Sequence, residues 1–249
     1  MGCLLKHRVL IIVPAYNEAE GIGSLLDELH EHVPEAHVVV IDDASTDRTA
    51  SVAGEKGVKV ISLPFNLGIG GAVQTGFRYA WNEGYESAVQ VDGDGQHPPE
   101  EVPRLLTALE DGKVDVVVGS RFLSSGGHKS TFSRRLGIRI LNSVVSSILS
   151  QPVTDCTSGF RAYGRKAIGF FATKYPYDYP EPEALVLLKK AGFSAGEVPV
   201  FMRDRLSGKS SIQGWKPFYY MIKVVLAILV DLLKPMSRKK KTLPAGARR

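Results

Sequence analysis

Asp92-Gly93-Asp94-Gly95-Gln96 sets two carboxylates one residue apart, with an amide oxygen two residues beyond the second. Hard oxygen donors at that spacing suit Mg2+ or Mn2+, ions that keep several waters and share their remaining positions with substrate phosphates. Gly93 and Gly95 let the backbone turn tightly enough for the three side chains to face one ion. Asp and Gly are also ordinary turn residues, so the pattern in isolation would more often be an acidic turn. Three further groups alter that balance: Pro14-Ala15-Tyr16-Asn17-Glu18, Asp42-Asp43-Ala44-Ser45-Thr46-Asp47 and Gly119-Ser120-Arg121. All four groups follow short apolar runs, which places them at four successive strand exits.

The elements that must position them are readable from periodicity. Strands are predicted at Arg8–Val13, His37–Ile41, Val58–Ser62, Ser87–Val91 and Asp115–Val118, where β-branched residues cluster. Helical patterns lie between them at Ala19–Val33, Thr46–Lys56, Ile69–Asn82 and Glu100–Glu110. This alternation predicts an α/β fold with a mainly parallel sheet covered by helices on both faces. Ligands bind beyond the carboxyl ends of the strands in such sheets, where the four groups converge. The second half is less regular. A Gly/Ser-rich loop at Ser124–Ser130 precedes a helix from about Arg134 to Leu149, then a helix at Glu183–Ala191 and a strand at Glu197–Met202. A polar loop, Arg203–Gly214, leads to a last apolar helix at Pro217–Leu233.

Some of these residues have a plain structural reading. Ser45 or Asp47 could cap the helix that follows, as could Asp43 less readily. Gly68-Ile69-Gly70-Gly71 misses the dinucleotide fingerprint, which needs Gly where Val73 stands and should follow the first strand. Close packing of a helix on the sheet explains it better.

The four groups, with Thr157-Ser158-Gly159-Phe160-Arg161-Ala162-Tyr163 and Arg205-Leu206-Ser207-Gly208-Lys209-Ser210, resemble the ordered motifs of inverting family 2 glycosyltransferases. The subgroup resembled is dolichyl-phosphate mannose synthase with its bacterial polyprenyl-phosphate relatives, over roughly residues 8 to 215. The resemblance implies a GT-A fold, a nucleotide-sugar donor (a GDP- or UDP-hexose) and a Mg2+ or Mn2+ cofactor. By it, Pro14, Tyr16, Glu18, Ile41 and Asp43 would hold the nucleotide, with Asp92, Gly93 and Lys209 also on the donor. Asp92, Asp94 and Gln96 would hold the metal. Asp94, Arg121, Arg134 and Arg205 would be catalytic, the arginines surrounding the donor and acceptor phosphates. The sequence departs from the pattern in three places. The usual Gly-x-Ser-Lys loop reads Gly208-Lys209-Ser210-Ser211, Ile138 stands where a serine is common, and the helix start Tyr179-Pro180-Glu181-Pro182-Glu183 leaves Glu181 and Glu183 as alternative equivalents.

A phosphate acceptor also agrees with the residue types. A sugar hydroxyl needs a positioned carboxylate base. A phosphate monoester has a second pKa of about 6 and is already mostly dianionic, so it needs cations instead. Arg121, Arg134, Arg135, Arg139, Arg161, Arg203 and Arg205 are available, and roughly half are expected to be ordinary surface charges. Asp155 is the most tempting base for a hydroxyl acceptor, with a helix cap or an Arg161 partner at least as good a reading.

The net charge of +5 is unevenly placed: residues 234–249 carry seven basic side chains and no acidic one, so residues 1–233 are slightly acidic at −2. The pI of about 9.1 therefore belongs to an appendage, and no nucleic-acid partner is expected. Cys3 and Cys156 are too few for a disulfide framework or a thiolate cage, which suits a reducing cytosolic compartment, and no export signal is expected. Pro217–Leu233 reaches about 25 Å as a helix, short of the roughly 30 Å hydrocarbon core. Lys216, Lys223 and Lys234 fall within about 20° of one another on a helical wheel, opposite a broad apolar face. That pattern fits a helix lying in a membrane interface, with docking on the protein's own core as the competing reading.

The expected organisation is thus a glycosyltransferase domain at 1–214, an amphipathic interfacial helix at 215–233 and a basic, disordered tail at 234–249. The expected function is metal-dependent transfer of a hexose to a polyprenyl phosphate at the cytoplasmic face of an anionic membrane, with room for an integral-membrane partner. The alternatives are transfer to a saccharide or lipid hydroxyl in cell-surface polysaccharide synthesis, and a non-catalytic nucleotide-sugar-binding module recruited to the membrane. A sugar nucleotidyltransferase is disfavoured, because no matching glycine-rich loop lies near the N-terminus.

Overall fold

A computed structural model of the chain describes residues 8–123, 132–177, 180–203, 223–228 and 230. The first half follows the alternation: β1 (Val9–Ala15), α1 (Ile22–His32), β2 (His37–Asp42), α2 (Thr49–Glu55), β3 (Lys59–Ser62), α3 (Gly68–Asn82), β4 (Ser87–Gln90), a 3-10 turn at Pro99–Glu101, α4 (Val102–Asp111) and β5 (Val116–Ser120). The second half adds α5 (Phe132–Leu149), β6 (Arg161–Gly164), α6 (Arg165–Phe171), α7 (Pro180–Lys190) and β7 (Ala195–Pro199). The strands form one sheet in the order β3-β2-β1-β4-β6-β5-β7. All neighbours run parallel except β6, which is antiparallel to both β4 and β5.

Alternate residues of β1 enter two separate cores, as the two-residue period of a strand requires. Leu10 and Ile12 join side chains of α3, α5, α6 and α7, whereas Val9, Ile11 and Val13 join those of α1 and α4. The sheet is therefore buried on both faces, as its near-continuous apolar strands predict. Strand order reverses at β1: the chain passes outward through β2 to β3, then crosses back to place β4 on the other side of β1. That crevice is where a ligand fits.

β6 and α6 are absent from the sequence reading, which treats Arg161–Tyr163 as chemistry rather than as a strand. The glycine-rich start of α3 is also corrected. A Cβ on Gly70 would lie 2.4 Å from the Pro176 carbonyl oxygen, so Gly70 clears space for the chain at 176–177, not for the sheet. Helix–sheet contact is made by Gly76, where a Cβ would lie 2.3 Å from Ile12 Cγ2. Gly76→Ala is therefore expected to overpack the α3–β1 interface and lower stability by about 1–3 kcal/mol. A urea titration should show a lower midpoint at unchanged slope.

The helical residues 223–228 and 230 bury Val224 and Ile228, one turn apart, in the core shared with α3, α5, α6 and α7. Leu226 and Val230 face solvent instead, at 55% and 49% exposure. This stretch therefore spends one apolar face on the protein itself. The rest of the expected interfacial helix and the basic tail lie outside the described residues. Among the described residues, no helix is long and apolar enough to cross a membrane.

Candidate active site

The exits of β1 and β2 are stitched together. Asn17, in the left-handed region at φ 55°, donates its N–H to Ser45 Oγ at 3.0 Å, and its side-chain oxygen accepts the Thr46 N–H at 2.8 Å. The Glu18 N–H donates to Thr49 Oγ1 and the Ala19 N–H to Asp47 Oδ2. Partial burial tends to raise the Asp47 carboxyl, but hydrogen bonds from Thr49 and Ala19 outweigh it and hold the group below the usual carboxylate range. Much of the Asn-Glu and Ser-Thr-Asp pattern is therefore scaffold. It leaves Tyr16 exposed at the rim and Glu18 partly buried.

Asp43 is buried, and its two oxygens accept the N–H groups of Leu67 and Gly68 at 2.7 and 2.8 Å. A carboxylate at the start of a 15-residue helix satisfies orphan donors and complements the helix dipole. Asp43 thus caps α3 across the sheet, while Asp47 accepts the Thr49 N–H at the start of α2. Ile41 is fully buried among core side chains, in register with Pro14 and Ile61.

The turn after β4 is fixed from three sides. The Gly93 N–H donates to the Pro14 carbonyl at 3.1 Å, which ties it to the β1 exit. Asp92 accepts Gln90 Nε2 at 2.9 Å on one oxygen, and its other oxygen lies 3.7 Å from His97 Nε2. His97 Nδ1 accepts the Asp92 backbone N–H at 3.0 Å, so the ring proton sits on Nε2 and faces that oxygen. The imidazole stacks on Phe160, with centroids 4.8 Å apart. A Cβ on Gly159 would come within 3.0 Å of Gln90 Nε2 and 3.2 Å of Asp92 Oδ2, which accounts for glycine in that motif. Asp94 is buried, with Oδ1 accepting the Gln96 N–H at 3.0 Å across Gly95, whose φ is 74°.

The donor chemistry of this turn fits Mg2+ or Mn2+. Asp92 and Asp94 supply hard oxygens, with the Asp92 side chain 31% exposed. Among the described residues no group of three or more His, Cys, Asp or Glu side chains could by itself hold a metal.

Arg121, at the β5 exit, is held by Asp155. Its Nε and Nη2 reach the two Asp155 oxygens at 2.7 and 2.8 Å, its backbone N–H donates to Oδ2, and Nη2 also reaches Thr157 Oγ1. Asp155 is itself fully buried. The loop carrying it is pinned by Glu197 of β7, whose carboxylate accepts the N–H groups of Thr154 and Asp155, and by Asn142 of α5, which accepts the Cys156 N–H. Asp155 is thus the partner of Arg121 rather than of Arg161 or of a helix end. Arg161 is fully buried and donates to the Ser158 and Cys156 carbonyls, while its Nη1 has no hydrogen-bond partner among the described residues.

Glu181 stands beside Glu183 in the first turn of α7. Burial pushes its carboxyl above the usual range, Arg161 and Arg121 pull it back, and Asp92 repels it. Glu181 therefore lies in the electrostatic neighbourhood of the site.

The structure brings Tyr16, Glu18, Asp43, Asp92, Gly93, Asp94, Gln96 and Arg121 to one end of the sheet. Arg134 falls in α5, with its side chain outside the described residues, as are Arg205 and Lys209 entirely. Arg139 is exposed, and Arg203 pairs with Glu28 and Glu100 instead of facing the site. The residues that the sequence left without a role are His97, Phe160, Asn142 and Glu197. The first two lie inside quoted motifs. The last two are joined to the site only by long-range folding and carried no local signal.

Comparison with known proteins agrees with this geometry. The chain is 32% identical over 218 residues to polyprenol monophosphomannose synthase of Mycolicibacterium smegmatis, covering 84% of this chain and 82% of that protein. It is 35% identical over 216 residues to undecaprenyl-phosphate mannosyltransferase of Micrococcus luteus, covering 83% and 88%. The crystal structure of glucosyl-3-phosphoglycerate synthase from Mycobacterium tuberculosis, in complex with Mn2+, UDP and phosphoglyceric acid, superposes with a TM-score of 0.70 at 20% identity, covering 93% of this chain and 81% of that one. That likeness shows the GT-A fold. Residues 10–170 match the glycosyl transferase family 2 model, and with the strand-end motifs in place the chain belongs to glycosyl transferase family 2.

Proposed function

We propose that the protein transfers a hexose from a nucleoside-diphosphate sugar to a polyprenyl phosphate, with inversion at the anomeric carbon, at the cytoplasmic face of a membrane. The names of the two sequence relatives support the acceptor class. The observation that carries it in the structure is the state of Asp155. Its oxygens accept four hydrogen bonds, three from Arg121 and one from Thr157, so the carboxylate is committed to holding a cation and not to removing a proton. A phosphate acceptor needs that cation and no base.

Asp92, Asp94 and Gln96 would hold Mg2+ or Mn2+, which when bound neutralises charge developing on the leaving diphosphate. Tyr16 and Glu18 border the nucleotide, while Asp43 holds the 67–68 backbone that flanks it. Pinned by Asp155, Arg121 presents its remaining guanidinium edge to the phosphates with no reorganisation when charge moves. The acceptor oxygen attacks the anomeric carbon from the face opposite the departing diphosphate. Arg134, Arg205 and Lys209 are assigned to the same phosphates on the strength of the motif.

The test is donor consumption by the purified protein with Mn2+ and a panel of GDP- and UDP-hexoses. Turnover should depend strictly on added polyprenyl phosphate; transfer to a saccharide would overturn the proposal. Glu181 gives the hydroxyl-acceptor alternative a specific footing, because a carboxyl raised by burial is suited to general-base work. Glu181→Gln separates the two: turnover with polyprenyl phosphate should persist, whereas a hydroxyl acceptor would need the base.

The basic segment 234–249 is proposed to hold the enzyme at anionic lipid, at about 1 kcal/mol per Lys or Arg near the surface. Its deletion should weaken sedimentation with phosphatidylserine vesicles and leave nucleotide binding unchanged. Undiminished vesicle binding would refute that role.

A further inference from the structure

Beyond β7 the chain continues as a strip sewn to the flank of the site. Arg104 of α4 donates to the Pro199 carbonyl, the Val200 N–H to the Ser120 carbonyl, and the Phe201 N–H to Glu101 Oε1. The last bond is made by the Arg203 N–H, which donates to the carbonyl of Gln96 at 3.0 Å. The strip thus ends against the back of the turn that carries Asp94 and Gln96.

The Arg203 side chain spans two elements from that point. Nη1 donates to Glu28 Oε2 of α1 at 2.6 Å, and Nη2 to both oxygens of Glu100 at 2.9 and 2.7 Å. The three side chains are 29%, 30% and 43% exposed, so each pair taken alone would contribute little to stability. Geometry gives the fork a different value. A planar guanidinium bonded to two carboxylates on separate elements fixes its own backbone, and that backbone is bonded to Gln96. A lysine could reach one carboxylate but could not hold the fork.

We infer that Arg203 is a positioning residue, which clamps the Asp92–Gln96 turn between α1 and the strip after β7 so that its oxygens stay preset for a metal-bound diphosphate. This rests on the proposed function, and calorimetry of the full chain with MnCl2 and UDP or GDP separates the two. Arg203→Met should weaken Mn2+-dependent nucleotide binding about tenfold, the low end of what loss of an outer-shell support costs. Arg203→Lys should fall between Arg203→Met and the wild type. Arg104→Met removes the Arg104–Glu101 pair and the bond from α4 to the Pro199 carbonyl, neither of which involves the turn, and should leave Mn2+-dependent binding within twofold of the wild type. If Arg203→Met does not fold, the double substitution Glu28→Ala and Glu100→Ala removes the acceptors of the same fork and is read in the same way. Unchanged affinity after loss of the fork overturns the inference, as does an equal loss in Arg104→Met. A wild type that shows no Mn2+-dependent binding overturns the functional reading itself.

Discussion

Asp94→Ala is expected to lower donor turnover by about a thousandfold or more, because charge neutralisation at a leaving diphosphate contributes several kcal/mol. The fold should survive. Asp94 lies in a turn and not in either core, and losing its bond to the Gln96 N–H costs about 1 kcal/mol. Circular dichroism and melting would confirm a folded variant, and calorimetry should show Mn2+-dependent nucleotide binding lost with turnover. Asp94→Asn keeps an oxygen and the size of the side chain but removes the charge, so it should fall between the two. Undiminished turnover in folded Asp94→Ala would remove the basis for placing a metal at this turn.

How far the sequence led is clearest around that same turn. The segment from Ala88 to Val91 is buried on both faces, with Gln90 its one polar side chain, so an exit bearing two carboxylates stands out from it. The strands ending at Ala15, Asp42 and Ser120 were legible for the same reason, since a parallel sheet buried on both faces writes itself as apolar runs. β6 was not legible. It has four residues, too few for periodicity, and begins with an arginine. The buried Arg161 is tolerated there because the Ser158 and Cys156 carbonyls accept from it, partners made by a loop that no periodicity describes. Arg203 shows the converse limit. Its residue type suggested phosphate, but its partners lie about 100 and 175 positions away in sequence, at Glu100 and Glu28. Arginine content predicts that anions will be bound, not which ones.

That distinction gives Asp155→Asn its weight. The substitution keeps shape and removes the charge facing Arg121, leaving a guanidinium that is 14% exposed without its counter-ion. Breaking one side of such a pair typically costs about 3–5 kcal/mol, since the remaining charge loses its compensation. Urea unfolding should show a loss of that order. Turnover should fall as well, because the released guanidinium no longer presents a fixed edge. Reduced activity alone could reflect either a catalytic base or a lost support, so a second variant decides. Arg121→Met with Asp155→Leu replaces the pair by apolar groups, which is often close to neutral for stability. It should recover much of the lost stability and none of the turnover. If Asp155→Asn remains as stable as the wild type, the ion pair does not hold the loop. If the apolar pair recovers turnover, Arg121 does not act on the phosphates, and the acceptor reading built on it fails.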